Sequence, residues 1–152
     1  MKLLRKPIVN AAIILLVTAF YSLVFILTSG HMEFESILNH SNTLNNAFWN
    51  NWSVFLAQGN LKYIGYAYIV FALFIVILTT IKKRDYDEYQ VGILEKGLII
   101  AGLVMILMLP LALLLVLSDP NYAIETLIFL VVAHWTTVLV ADLIYVIKYG
   151  KS

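Results

Sequence analysis

Residues 97–118 read GLIIAGLVMILMLPLALLLVLS, 22 consecutive positions without a charged side chain. A helix needs about 20 apolar residues to cross the roughly 30 Å hydrocarbon core of a bilayer. A helix that is apolar on every side belongs in a membrane or deep inside a large protein. Three more uncharged runs flank this one: residues 8–29 (22 long), 63–81 (19 long) and 126–141 (16 long). The last is short and spans only if Glu125 or Asp142 lies near a membrane boundary. All four are read as helices, because an open sheet edge facing lipid leaves backbone groups without partners. The expected fold is an all-α integral membrane protein, a four-transmembrane-helix antiparallel bundle. It forms a single membrane domain over 1–152, with spans at about 8–29, 62–81, 92–118 and 122–147. The first outer loop, 30–61, carries a short interfacial helix.

Composition supports this reading. Apolar residues make up 62% of the 152 positions and charged residues 12%, where soluble domains have about 45–50% and about 25%. A soluble chain of this length cannot hide so much apolar surface. The first run is too long for a signal-peptide core and no small-x-small cleavage site follows it, so it is read as a span. With no cysteine in the chain, disulfides, thiolate metal sites and cysteine nucleophiles are excluded. A net charge of +1 and no run of five like charges give no reason to expect a nucleic-acid partner.

Lysine and arginine set the expected orientation. Lys2, Arg5, Lys6, Lys82, Lys83, Arg84, Lys96, Lys148 and Lys151 fall on one side and only Lys62 on the other. Positive residues accumulate in cytoplasmic loops, so both termini are expected in the cytoplasm of a multi-pass cell-membrane protein. The inner connection KKRDYDEYQ (82–90) and the outer turn Asp-Pro-Asn (119–121) are short. Spans two and three, and three and four, are therefore expected to be antiparallel neighbours. In the outer loop Phe48, Trp49, Trp52 and Phe55 form an aromatic cluster with helical spacing. Ser41 or Thr43 is the expected cap, and Gly59 the expected end. These aromatics are either an anchor in the membrane surface or a docking surface.

Polar groups inside a bilayer are costly and are therefore candidates for function. Counting about 1.5 Å per helical residue puts Lys96, Asp142, Glu95 and Asn10 at similar depth near the inner face, with Lys96 and Asp142 as the expected ion pair. The same count puts His134 near the bilayer centre, at the level of Tyr21, Tyr66 and Tyr68. His134 is expected to be buried, neutral and hydrogen-bonded to a hydroxyl or backbone oxygen, and cut off from the inner cluster. No cofactor is expected: His31 and His40 both lie in the outer loop, too far from His134 for bis-histidine haem ligation. The stretch His31-Met-Glu33-Phe-Glu35 with His40 matches no metal-binding spacing. Gly97-x-x-x-Ala101 permits close helix approach, and Pro110 is expected to bend the third span.

No hydrolase, P-loop, dinucleotide or zinc-protease signature occurs. In size and span count the chain is similar to small multidrug transporters and fluoride channels. Its first span has no embedded glutamate, and topology alone does not fix function. The expected function is that of a small non-catalytic polytopic protein acting through partners, which are the lipid bilayer and another membrane protein or itself. It would be an accessory subunit or an immunity-type protein. The alternative is a small oligomeric channel or proton- or ion-coupled transporter.

Overall fold

The computed structural model describes residues 5–38, 44, 46–81 and 85–149. Among them are six α-helices: α1 (Pro7–Thr28), α2 (Met32–Leu38), α3 (Ala47–Ala57), α4 (Leu61–Thr80), α5 (Glu88–Ser118) and α6 (Ala123–Tyr149). A 3-10 turn, Pro120–Tyr122, joins α5 to α6, and no strand occurs among the described residues. Four helices, α1, α4, α5 and α6, are long and apolar enough to cross a membrane. The architecture is that of an all-α, multi-pass membrane bundle.

Local chemistry fixes the helix ends. Pro7 occupies the first turn of α1, where its missing N–H costs no hydrogen bond. Asp87 and Gln90 form a reciprocal capping box at the start of α5, so this helix begins four residues earlier than the expected 92. Asn46 caps α3 by accepting from the Phe48 and Trp49 amides. The cap is therefore neither Ser41 nor Thr43, both of which lie outside the described residues. Gly59 follows α3 at φ 68°, in the left-handed conformation that only glycine adopts freely.

The outer surface of the bundle is apolar, and its interior combines apolar side chains with the polar groups that avoid lipid. On α1, Asn10, Ala11, Thr18 and Ser22 are buried, while Ile8, Leu16, Phe20 and Leu27 face out. On α4, Gly65, Ala72 and Thr79 are buried, and Val70, Phe74 and Ile77 face out.

α1 packs along α4, α5 packs along α6, and the two pairs meet through α4 and α6. The expected pairing of the second and third spans is thus replaced by one between the first and second, across the longest loop. Gly65 makes this possible: a Cβ there would stand 3.1 Å from the Ser22 carbonyl oxygen and 3.2 Å from Ile26 Cγ1. α6 is the central helix, with side-chain contacts to α1 through Asp142 and Trp135, to α4 through Val132 and Thr136, and to α5 through His134. α5 is peripheral. Only 6% of its most apolar stretch is buried, against 28% in each of the other three spans. It continues as one helix through Pro110.

Candidate functional site

One polar part of the interior lies at the end of the bundle that carries Arg5 and Lys6, here the basic end. There the fully buried Asp142 of α6 accepts a 2.7 Å hydrogen bond from the Asn10 side-chain amide of α1. Its second oxygen, Oδ2, has no hydrogen-bond partner among the described residues, and neither has the buried hydroxyl of Tyr145 one turn further on. The Tyr86 ring, from the segment before α5, packs edge-on against Tyr145 at 5.3 Å. Burial, and then the negative charge of Asp142, push the Tyr86 hydroxyl up to about 12. The Tyr86 amide donates to the Arg5 carbonyl at 2.7 Å, and Arg5 pairs with Glu88, so the approach to α5 is tied to the start of α1. A lone ionised carboxylate in an apolar interior is prohibitively costly unless paired or protonated. With one amide donor and one free oxygen, Asp142 has the capacity to hold a proton, a water molecule or a small cation.

Two of the four groups expected at this depth meet, and two do not. Asn10 and Asp142 come together. Lys96 is exposed and forms no ion pair with Asp142; it lines a groove between α5 and α6 instead. Glu95 is half-buried, with Oε1 unpartnered among the described residues. Counting residues gave the depths, but each residue turns the helix by about 100°. Asp142 faces α1, while Lys96 looks out beside Ala141.

His134 follows the same geometry. It is half-buried, and its Nδ1 lies 3.2 Å from the Ala101 carbonyl oxygen of α5. The tyrosines expected around it are elsewhere. Tyr68 donates to the Val132 carbonyl and also bonds Thr136, each at 2.8 Å. Tyr21 packs against Trp135 at 5.1 Å, and Tyr66 points outward, 48% exposed. Trp135, which the sequence did not single out, donates to Thr18 at 3.1 Å and fills the centre beside α1. His134 turns to α5 and Asp142 to α1, about 80° apart around α6.

A second polar site fastens the opposite end. Glu125, fully buried in the first turn of α6, accepts from Ser53 Oγ of α3 at 2.9 Å. The Trp52 indole donates to the Glu125 carbonyl at 3.0 Å, and the buried Tyr122 hydroxyl donates to Asn50 at 2.8 Å. Three of the aromatics expected to form a docking surface close around one side chain of α6: Phe48, Trp49 and Trp52 meet Phe129 at 5.4, 5.5 and 6.0 Å between ring centres. Phe55 stacks on Trp52. The cluster therefore holds α3 onto α6, although Phe48 remains half exposed. The spacing of Asn50 and Ser53 on one side of α3 was the sequence signal for this contact. Its carboxylate partner lay 72 positions away, and nothing local pointed to it.

Among the described residues no group of three or more His, Asp or Glu stands close enough to hold a metal ion. His31 and Glu33 are exposed; the Glu35 side chain and His40 lie outside the described residues. No family model, curated protein or solved structure matches the chain.

Proposed function

We propose that this is a small non-catalytic polytopic membrane protein that acts by associating with another membrane protein, or with a second copy of itself, as an accessory subunit or immunity-type protein. The observation that carries this reading is α5. It has 31 residues, well beyond the roughly 20 a span needs, and among the described helices it packs mainly on α6. Exposure to lipid alone gives no drive to associate, since acyl chains are as apolar as leucine. Gly102 supplies the argument. It costs an exposed helix interior about 1 kcal/mol relative to alanine, and nothing lies within 4 Å of where its Cβ would stand. A glycine that no neighbour approaches within the chain suits the close approach of a helix from outside it.

The protein sits in the cell membrane with both termini in the cytoplasm, a placement supported by the nine-to-one distribution of Lys and Arg. Photo-crosslinking in native membranes tests the association. A photoreactive residue at Ile106, one turn from Gly102, should give a discrete protein adduct. Gly102→Leu should abolish it without lowering thermal stability. Adducts to lipid alone in the otherwise unaltered chain contradict the reading.

A second reading is favoured by Asp142. A buried acid with one open oxygen is what a proton- or cation-coupled transporter or channel places on its path. Proton flux in proteoliposomes that Asp142→Asn abolishes would favour this reading over the first.

A further inference from the structure

At the basic end, the lipid-facing side of the α5–α6 pair is indented by a groove of about 410 Å³. Its floor is shallow because Gly97 and Ala141 meet there, the position of a Gly97 Cβ being 3.5 Å from that of Ala141. Its walls are apolar, with Ile100 and Ile144 among them. Among the described residues, the only charged side chains lining it are Lys96 and Lys148, and both are exposed. Register along the pair puts Lys148 roughly 9 Å nearer the basic end than Lys96. The groove therefore runs from a positive mouth at headgroup level to an apolar trough at acyl-chain level.

We propose that this groove is a binding site for an anionic phospholipid of the leaflet at the basic end. The phosphate would sit between Lys96 and Lys148, and one acyl chain would lie over Gly97 and Ala141 between Ile100 and Ile144. Two features select this occupant. Charge complementarity is the first: among the described residues two cations line the groove and no carboxylate does, and basic pockets between spans at a membrane face take acidic headgroups. The order of the groove is the second, since charge at the rim and hydrocarbon further in match the order of a phospholipid. The site also explains why Lys96 is exposed and unpaired with Asp142: its charge is directed outward, away from the interior acid.

The test uses the full chain, stripped of lipid in detergent and titrated with phosphatidylglycerol or with phosphatidylcholine of the same acyl chains. Binding is followed by native mass spectrometry and by thermal shift. The original chain should prefer phosphatidylglycerol on the order of tenfold. Lys96→Gln with Lys148→Gln should bring the two lipids to within about twofold, while Lys62→Gln, at the opposite end, should leave the preference intact. Ile100→Trp, which fills the trough and keeps both lysines, should weaken binding of both lipids. No preference in the original chain would overturn the proposal. So would a preference that survives the double substitution, or a thermal shift from inorganic phosphate equal to that from phosphatidylglycerol, which would mean a headgroup-only site. The groove variants alter exposed side chains and Lys62 is half-buried; unchanged melting of all three variants in lipid-free detergent confirms that they fold.

Discussion

Asn10 and Asp142, 132 positions apart, are joined by a 2.7 Å hydrogen bond in the buried interior of the bundle. The bond links the first span to the last and leaves Lys96 out. Hydrogen bonds to charged groups contribute about 1.5–3 kcal/mol, so Asn10→Ala should destabilise the protein by about 2 kcal/mol in a detergent unfolding series. A double-mutant cycle between Asn10 and Asp142 should show coupling, and one between Lys96 and Asp142 should be additive within about 0.5 kcal/mol. The opposite pattern would return the ion pair to the interior.

Helix approach at Gly65 gives a second expectation. Gly65→Val drives a side chain into the Ser22 carbonyl and should cost about 1–3 kcal/mol, as overpacking does. Gly97→Ala places a methyl at ordinary contact distance from Ala141 and should be neutral. Equal melting temperatures for the two variants would refute the close α1–α4 approach.

The lock on α3 is tested by Glu125. Removing its carboxylate leaves Ser53 without its acceptor, so Glu125→Ala should lower stability by about 2 kcal/mol. Trp52 should then leave its site, giving a red shift in tryptophan fluorescence. Glu125→Gln, which keeps an acceptor oxygen, should show most of the original spectrum. An unshifted spectrum in Glu125→Ala would mean that the aromatic packing on Phe129 holds α3 alone.

Tyr86 yields a pH dependence. Its hydroxyl is raised from 10.0 to about 12 by burial and by Asp142. An acid whose pKa is raised on folding contributes stability that is complete below its unfolded value and is lost as pH climbs through the folded one. The loss attributable to Tyr86 therefore falls between about pH 10 and about pH 12. Tyr86→Phe should melt with a shallower decline across that window than the original chain. Identical slopes would show that the hydroxyl is not buried against Asp142.

How much was legible in the sequence follows from helix geometry. Charges separate the apolar runs, so the spans could be read directly, and residue counting placed Asn10, Asp142 and Lys96 at one depth. Azimuth was not readable. In a soluble helix the apolar stripe marks the core, but here Leu16 and Leu107 face outward while Ile14 and Leu94 face inward, so apolarity no longer distinguishes the two sides. The small polar residues Thr18, Ser22 and Thr79 were the better guide to the interior. Spans three and four pair as their short turn implied, but the neighbour of the second span was misread because loop length was used to choose it; the decisive residue was Gly65, which lets α1 approach across a 32-residue loop. Within residues 97–118 the small residues Gly97 and Ala101 were the guide to the side of α5 that meets α6, because the stretch has no polar side to turn inward.

The association proposed for α5 is tested most directly by cysteine scanning, for which the chain is already suited because it has no cysteine. Single cysteines from 99 to 117 would be labelled with a lipid-soluble maleimide, in native membranes and in nanodiscs holding one chain each. In nanodiscs, the exposed positions Ile99, Leu103, Ile106 and Leu113 should all label at comparable rates. In native membranes, protection should appear with helical period on the side of Gly102, over Ile99, Ile106 and Leu113, while Leu111, exposed and about 180° from Gly102, still labels as it does in nanodiscs. The same even labelling in native membranes as in nanodiscs would show that only lipid covers α5, and would contradict the account.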